Sequence, residues 1–513
     1  MKKIYNYCLL ILLLGVTSSC KKGLSDLNKN KVSPTTLDAV LLLNNAIIQT
    51  SFPAKTVIYE VSIVQQMVTP NGGVLAGGNF NVDSRDVVIA PIWTGYYQNV
   101  IKYTHDAISK TKDIPTRANL YNMARIWQAY VFMILTDTYG AIPYSEGGAG
   151  YTDQIFFPKY DQQQNIYAKL IQELTEASAA LSTSVTVETS DVLYAGNISK
   201  WKKLGYSLLL RAGMRLSKVD AAKAQATVTA AFSGGVITDN ADNAYMRHDA
   251  NYLNPTGNML NSTEAANWYL AKPFVDTLKN NNDPRLSAFA VRYVGATSGP
   301  TQTTANQNST AAVQIGMPMG FDNGTIGARA TSDGLASFYD YSQVDRRRAA
   351  KTASPNFFVT AAQTNLLLAE ARFRGWITTG PTAAQYFSNG IAAHMDQMAT
   401  FDAGSAVTAG ARDTYIAANP LGAGRELNQI NTQYWIASFL NGPEAFANFR
   451  RSGFPALAPN PYGQPNNPDV PNGTFIRRLG YPTTELSVNA ENVNAAIAIM
   501  GADKLSTRLW WDK

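Results

Sequence analysis

Apolar side chains recur at intervals of three and four residues along most of this chain. In the segment 120–139 the apolar positions are Leu120, Met123, Ala124, Trp127, Val131, Ile134 and Leu135. This spacing places them in one stripe along an α-helix. Similar patterns predict helices at Leu41–Ile47, Val57–Val68, Trp93–Ile108, Asp161–Leu181, Trp201–Leu216, Ala221–Phe232, Phe357–Phe373, Ala383–Met398, Asn428–Phe439 and Pro443–Phe449. No comparable series of alternating strands is found, so the sequence predicts a mainly α fold.

The predicted helices come in pairs joined by short turns, which is typical of helical-hairpin repeats. Residues Trp201 to Gly205 match the opening of a tetratricopeptide pattern, although no strict period of about 34 residues is visible. Thr36 and Asp220 each precede a predicted helix and have side chains suited to cap it. We therefore expect a scaffold of tetratricopeptide-like helix pairs.

Long segments without helical periodicity separate these pairs. They are Pro70–Ala90, Gly234–Asn267, Val294–Val344, Ala403–Arg425 and Arg451–Tyr481. Loops of this length inside a compact domain are usually functional or disordered. Their many aromatic and amide side chains argue against disorder. Because no single linker divides the chain, residues 35–513 are predicted to form one domain.

The first twenty residues have the pattern of an export signal. Lys2 and Lys3 precede the apolar run Cys8–Val16, which is far shorter than the ~20 residues of a membrane span. Thr17-Ser18-Ser19-Cys20 resembles a lipobox, with Thr17 in place of the usual aliphatic residue. We expect residues 1–19 to be a lipoprotein signal peptide and 20–34 a tether lipidated at Cys20, which would hold the protein on a membrane. An ordinary cleaved signal with an incidental cysteine is the alternative.

Cysteine content and charge exclude several classes of protein. Cys8 and Cys20 are the only cysteines, so the mature domain contains no disulfide, thiolate zinc site or cysteine nucleophile. The net charge of +6 falls to +4 without Lys2 and Lys3, and no long basic run supports nucleic-acid binding. Charged residues make up 16% of the chain, against about 25% in typical domains. A neutral, Tyr-rich surface suits uncharged hydroxylated ligands, although extracellular proteins in general also tolerate low charge.

Catalytic and metal-binding motifs were not found in the sequence. It contains no HExxH, GxSxG, P-loop or EF-hand pattern, and its three histidines are His105, His248 and His394. The spacing of a carboxylate pair for glycoside hydrolysis cannot be read from sequence. Asn280–Asp283 and Asp239–Asp242 supply oxygen ligands that suit structural calcium, but no spacing defines a site. We predict no cofactor and no metal site.

Nine segments, taken in order, resemble a known protein family. They are Ala124–Tyr144, Phe157–Asp161, Leu208–Leu216, Asn282–Leu286, Leu367–Trp376, Thr432–Trp435, Glu444–Pro455, Arg477–Ser487 and Trp510–Lys513. The chain thereby resembles the SusD/RagB family of nutrient-binding outer-membrane lipoproteins, especially its SusD-like branch. The resemblance implies a non-enzymatic protein on the cell exterior that captures oligosaccharides for a TonB-dependent, SusC-like barrel. Peptides are the alternative ligand, and a surface glycosidase or a structural lipoprotein are the alternative functions.

Aromatic and amide side chains in the long loops, and at the helix starts after them, are the predicted ligand contacts. In a glycan site, Trp and Tyr rings stack on sugars while Asn, Gln and Arg bind hydroxyls. The predicted residues are Asn79, Asn81, Arg85, Trp93, Tyr96, Tyr252, Asn254, Trp268, Tyr339 and Tyr341. The alternative is that Trp93 and Trp268 begin helices and pack inward, as buried aromatic residues commonly do.

Several charged residues have predicted structural roles instead. Asp283 and Arg285 flank a proline and are expected to pair with each other. Arg450-Arg451 and Arg477-Arg478 are expected to pair with carboxylates beneath the loops, such as those of Glu370 or Glu444.

Overall fold

The structure is a computed structural model that describes residues 37–72 and 77–513. The predicted signal peptide, the lipidation site Cys20, the tether and the Thr36 cap lie outside the described residues. None of the helices described combines the length and apolar character needed to cross a membrane.

Helices form most of the described chain. In chain order they are α1 Ala39–Gln49, α2 Ala54–Ile63, α3 Gly77–Phe80, α4 Ala90–Tyr96, α5 Lys102–Thr111, α6 Ala118–Tyr139, α7 Gln163–Ala180, α8 Ile198–Arg215, α9 Ala221–Gly234 and α10 Pro255–Leu260. The second half contains α11 Lys272–Asn280, α12 Arg285–Phe289, α13 Ile326–Ser332, α14 Ala361–Phe373, α15 Ala383–Phe401, α16 Ala409–Ala418, α17 Glu426–Ala437, α18 Gly442–Ser452, α19 Thr483–Val488 and α20 Ala490–Met500. The predicted fold class is confirmed.

Short strands connect the loops between these helices. They are β1 Met67–Val68, β2 Ala244–Met246, β3 Tyr269–Leu270, β4 Ala290–Tyr293, β5 Gln307–Asn308, β6 Gln343–Val344 and β7 Asn356–Val359. β1 pairs with β3, β2 with β7, and β4 with both β5 and β6, all antiparallel. The pairings of β1 with β3, β2 with β7 and β4 with β6 join segments distant in sequence, so these strands fix which loops become neighbours.

Consecutive helices pack against each other, as the helical-hairpin pattern predicts. The closely packed pairs include α6 with α7, α8 with α9, α14 with α15 and α17 with α18. Gly205 shows how close the approach is, because a Cβ atom there would lie 2.0 Å from Ser178 Oγ on α7. Asp220 caps α9 as predicted, since its carboxylate accepts a hydrogen bond from Lys223 N at 2.9 Å.

Several helix boundaries differ from the sequence prediction, and three of them are described here. α1 begins at Ala39, before the predicted Leu41, and Asp38 caps it by accepting a hydrogen bond from Val40 N at 2.9 Å. The predicted helix Val57–Val68 ends at Ile63, and its last two residues form β1. The predicted helix Phe357–Phe373 begins at Ala361, because residues 356–359 pair with β2. Apolar runs in β1 and β7 are as compatible with a buried strand as with a helix.

A buried cluster of opposite charges joins three helices of the scaffold. Glu444 on α18 lies 3.2 Å from Arg211 and 2.8 Å from Arg215, both on α8. Arg215 also lies 3.1 Å from Asp137 on α6. Burial alone raises the pKa of Glu444, but the two arginines outweigh it and keep that pKa below its ordinary value.

A second buried pair confirms the prediction for Arg451. Its guanidinium donates two hydrogen bonds to Glu370, at 2.7 and 2.8 Å, and contacts Asn431 at 2.8 Å. Asp283 and Arg285 also pair as predicted. Glu444, by contrast, pairs with arginines of α8 rather than with the predicted Arg450-Arg451 or Arg477-Arg478.

Candidate ligand-binding site

Pairing of β1 with β3 brings two distant loops to one surface of the protein. Asn71, which follows β1, donates a hydrogen bond to the Asn267 side-chain oxygen at 2.8 Å. Asn267 in turn donates to Glu264 at 3.0 Å. These side chains are half-buried, so their remaining donors and acceptors lie near solvent. The result is a row of amide and carboxylate groups at the sheet edge.

Tyr269 links this row to a stacked pair of aromatic rings, since its hydroxyl donates to the Ala266 carbonyl at 2.7 Å and its ring centroid lies 6.2 Å from that of Phe338. Tyr339 stacks on Phe338 with ring centroids 4.2 Å apart and planes inclined by 27°. The backbone carbonyl of Tyr339 accepts a hydrogen bond from Gln302 at 2.8 Å, and its N–H donates to Ser337 Oγ at 3.0 Å. The ring is therefore held in place by its neighbours. We define the loop face as the side chains of Asn71, Glu264, Asn267, Gln302 and Tyr339.

Buried polar atoms around the loop face have unsatisfied hydrogen-bonding capacity. Among the residues that the structure describes, no hydrogen-bond partner is present for Asn79 Oδ1, Trp268 Nε1, Gln302 Oε1 or Gln343 Oε1. Each such atom costs about 1–3 kcal/mol relative to a paired one.

Seven of the ten predicted contacts are buried, namely Trp93, described below, and six others. The six others are Asn79, Asn81, Tyr96, Asn254, Trp268 and Tyr341. Asn81 binds the backbone carbonyls of Asn460 and Tyr462, each at 3.1 Å. Asn254 caps α10 by accepting from Gly257 N at 2.9 Å. Because these side chains hold the loops together, the loop face does not include them.

Trp93 and the three remaining predicted contacts lie in separate places. Arg85 pairs with Asp83 and lies 2.8 Å from Asp503. Tyr252 stacks on His248 with centroids 4.7 Å apart and donates to Ile48 O at 2.5 Å. Trp93 is 4% exposed and packs among tyrosines, as the inward-packing alternative holds. Of the ten, the half-buried Tyr339 alone belongs to the loop face.

Trp93 forms the floor of a separate open groove of about 590 Å³. Its walls come from the start of α5 and from the loop that follows α6. The residues that line it include Trp93, Tyr97, Gln98, Lys102, Glu146, Tyr151, Phe156 and Glu485. We call this site the aromatic groove, and it shares no residue with the loop face.

In the described part of the chain, protein contacts surround three titratable side chains that were considered above: His394, Asp283 and Asp239. Burial first, and the charge of Arg285 second, hold the pKa of His394 well below its ordinary value. Its Nδ1 lies 3.0 Å from an Arg285 nitrogen. Within the described part of the chain, no group of three or more His, Cys, Asp and Glu side chains could hold a metal ion. Asp283 is paired with Arg285, and Asp239 accepts from Ala241 N at 2.7 Å.

The sequence matches one known protein family over most of its length. The family described as SusD-like, starch-binding and associating with the outer membrane matches residues 29–482. The chain belongs to the SusD-like family. A search of curated proteins gives no match.

Solved structures resemble the SusD-like chain over nearly its whole length. One is named a chitin-binding protein, with 29% identity, a TM-score of 0.80, and coverage of 93% of this chain and 100% of that one. Another, a SusD-like protein of Bacteroidetes, has 27% identity, a TM-score of 0.79, and the same two coverages. A chitin-binding SusD homologue from Flavobacterium johnsoniae, at 23% identity and a TM-score of 0.73, covers 93% of this chain and 98% of its own and supports the fold alone. The family description and the name of the first of these proteins describe binding proteins rather than enzymes, in agreement with the sequence prediction.

The residues predicted from the sequence do not include Asn71, Glu264, Asn267 or Gln302 of the loop face. All four lie within or next to the long polar loops that the sequence singles out. The choice among many amides in those loops depends on the pairing of two-residue strands β1 and β3. A two-residue strand has no detectable periodicity, so the sequence contained no signal for that pairing.

Proposed function

We propose that this protein is a cell-surface lipoprotein that binds oligosaccharides at the loop face. The observation that carries the proposal is the row of half-exposed amides and one carboxylate beside the fixed Tyr339 ring. Membership of a family described as starch-binding, and similarity to a chitin-binding protein, support a carbohydrate as the ligand.

The chemistry of the loop face suits a neutral sugar chain. Asn71, Asn267 and Gln302 offer both amide donors and amide acceptors, which match hydroxyl and acetamido groups. Glu264 accepts hydrogen bonds from hydroxyl groups. An aromatic ring such as that of Tyr339 packs against the apolar face of a sugar ring. Every polar contact replaces a hydrogen bond to water, so we expect modest affinity.

Modest affinity fits a role in which the ligand is passed on. We propose that lipidation of Cys20 anchors the protein in the outer membrane, facing the cell exterior. There it would act as a lid on a SusC-like, TonB-dependent barrel and release its oligosaccharide into that transporter. The family description, which includes association with the outer membrane, supports this location.

Calorimetric titration of the purified protein with chitin and starch oligosaccharides tests the binding proposal. We expect saturable binding of at least one series, weakened in Asn267→Ala and Tyr339→Ala and unchanged in Asn494→Ala, which alters an exposed amide on α20. Binding of a peptide panel with no response to either sugar series would overturn the carbohydrate proposal in favour of the peptide alternative.

Two further measurements test the anchor and the partner. Metabolic labelling with a radioactive fatty acid should mark the wild-type protein and leave Cys20→Ala unmarked. Affinity purification from detergent-solubilised outer membranes should recover a TonB-dependent barrel with the wild-type protein. Recovery of the tagged protein without any such barrel would contradict the transport role.

A further inference from the structure

Three large aromatic side chains project into solvent from the loop after α6. The exposed fractions are 85% for Tyr151, 71% for Phe156 and 60% for Phe157. Single exposed apolar residues are ordinary on protein surfaces, but a group of them beside a cavity marks an interaction site. Tyr151 and Phe156 line the aromatic groove.

The loop that presents these rings is fastened at both of its ends. Asp161 accepts hydrogen bonds from the backbone N–H and the hydroxyl of Ser145, at 2.8 and 2.9 Å. Glu146 accepts from Lys159 N at 2.7 Å, which ties the two arms of the loop together. The rings are therefore exposed on an anchored loop, not on a free chain end.

Side chains from the end of the chain support the same loop. Asn489 donates to the Pro158 carbonyl at 2.8 Å, and Asn492 donates to the Phe157 carbonyl at 3.0 Å. The backbone next to the exposed rings thus has specific partners while the rings themselves remain uncovered. This arrangement costs hydrophobic stabilisation and is expected where a ligand covers the rings.

The floor of the groove is a fixed aromatic cluster. The ring centroids of Trp93 and Tyr97 are 5.0 Å apart, and Tyr97 donates to the Pro143 carbonyl at 2.7 Å. Tyr160 stacks near Trp93 at 6.0 Å and donates to Glu485 at 2.7 Å. Because these contacts already exist, a ligand would meet a preformed surface, which lowers the entropic cost of binding.

Polar groups are distributed around this aromatic surface. Gln98 and Lys102 are exposed on one wall, and Glu146 and Glu485 are half-buried on the other. The volume of about 590 Å³ lies within the usual range for small-molecule sites. A concave aromatic surface with mixed donors and acceptors fits a short length of sugar chain. A protein partner would need a much larger contact, about 800 Å² on each side.

We propose that the aromatic groove is a second oligosaccharide-binding site, additional to the loop face. This inference rests on the proposed carbohydrate-binding function. Tyr151 and Phe156 would cover apolar sugar faces, while Gln98, Lys102 and Glu146 would bind hydroxyls. A polymer that occupies both sites binds the second as an intramolecular step, so its retention exceeds that of either site alone.

Stoichiometry and polymer retention test the second site together. Calorimetry with short chitin and starch oligosaccharides should give two molecules bound per wild-type chain and one for the double variant Tyr151→Ala/Phe156→Ala. Retention of the same variant on insoluble chitin or starch should fall by about tenfold or more. Tyr151→Phe/Phe156→Tyr keeps both rings and should behave as wild type. Leu41→Ala, which truncates an exposed apolar residue elsewhere, should also have no effect.

The outcomes separate this inference from the proposed function. One sugar per wild-type chain, bound about tenfold more weakly by Tyr339→Ala, would overturn the second site and leave the proposed function intact. Absence of sugar binding by the wild-type protein would overturn both. If Tyr151→Ala/Phe156→Ala binds as many sugar molecules per chain as wild type but no longer co-purifies with the barrel, the groove binds a protein partner and is not a sugar site.

Discussion

In the scaffold, Glu444 lies between Arg211 and Arg215 and accepts a hydrogen bond from Tyr434 at 2.7 Å. At the loop face, Glu264 accepts a side-chain hydrogen bond from Asn267, and the amides around it retain exposed donors and acceptors. The first carboxylate has opposite charges as close partners, whereas the second has a neutral amide and solvent.

This difference shows how the same residue types serve two purposes. A buried charge is tolerated only when it is paired, so the scaffold cluster has a single arrangement, and its loss would destabilise the fold. A half-exposed amide exchanges water for a ligand at small cost, so the loop face can bind and release. Variants of the first region should change stability, and variants of the second should change binding.

The largest expected effect comes from removing the central carboxylate of the scaffold. Glu444→Ala leaves Arg211 and Arg215 buried without their main partner, and the unfolding free energy should fall by roughly 3–5 kcal/mol. Denaturant unfolding followed by circular dichroism measures the change. Glu491→Ala, at an exposed position of α20, is the control. A loss for Glu444→Ala as small as that of the control would contradict a structural role for the cluster.

A buried ion pair of the scaffold should also make the unfolding free energy depend on pH. Burial alone raises the pKa of Glu370, but Arg451 and Arg374 outweigh it and lower that pKa to about 2. Since the folded-state pKa lies below the unfolded value, the stabilisation is complete above about pH 4.5 and is lost as the pH falls towards 2. Unfolding free energies measured from pH 6 to pH 2 should decline less in Glu370→Gln than in wild type. Equal declines would rule out this pair as a cause.

A smaller effect, on binding alone, is expected at the loop face ring. Tyr339→Ala removes the aromatic surface beside the amides and should weaken oligosaccharide affinity about tenfold, or ~1.4 kcal/mol. Because the ring is half-buried, the melting temperature should change little compared with that of Glu444→Ala. Calorimetry and thermal unfolding of one preparation separate the two effects. If Tyr339→Ala instead lost much of its stability and kept its affinity for sugar, Tyr339 would be a structural residue rather than a ligand contact.

The smallest expected effect is that of a single amide. Asn267→Ala removes one of several donors and acceptors and should weaken binding about threefold to tenfold, as for one hydrogen bond. Asn267→Gln keeps the amide at a changed reach and should recover part of the affinity. An affinity of Asn267→Ala equal to that of wild type would exclude this amide from the site.

The helical scaffold was predictable because its signals are local. The stripe from Leu120 to Leu135 lies within one helix, and the Asp220 cap depends on a residue three positions away. The pairing of Asp283 with Arg285 was likewise predicted from neighbours in sequence. Periodicity and short-range chemistry therefore determine this part of the fold.

The loop face was not predictable for the opposite reason. Asn71 and Asn267 are 196 positions apart and meet through a pairing of two-residue strands. Residue type alone predicted Asn81 and Trp268 as ligand contacts, and the structure buries both. An amide in a long loop has the same sequence signature whether it holds another loop or faces solvent.

Calorimetric titration of wild type, Tyr339→Ala and Glu491→Ala with chitin and starch oligosaccharides tests the central proposal most directly. The proposal predicts saturable binding of a sugar series by wild type and Glu491→Ala, with affinity about tenfold lower in Tyr339→Ala. Sugar binding of equal affinity in all three proteins would show that the ligand is bound elsewhere and would contradict the assignment of the loop face.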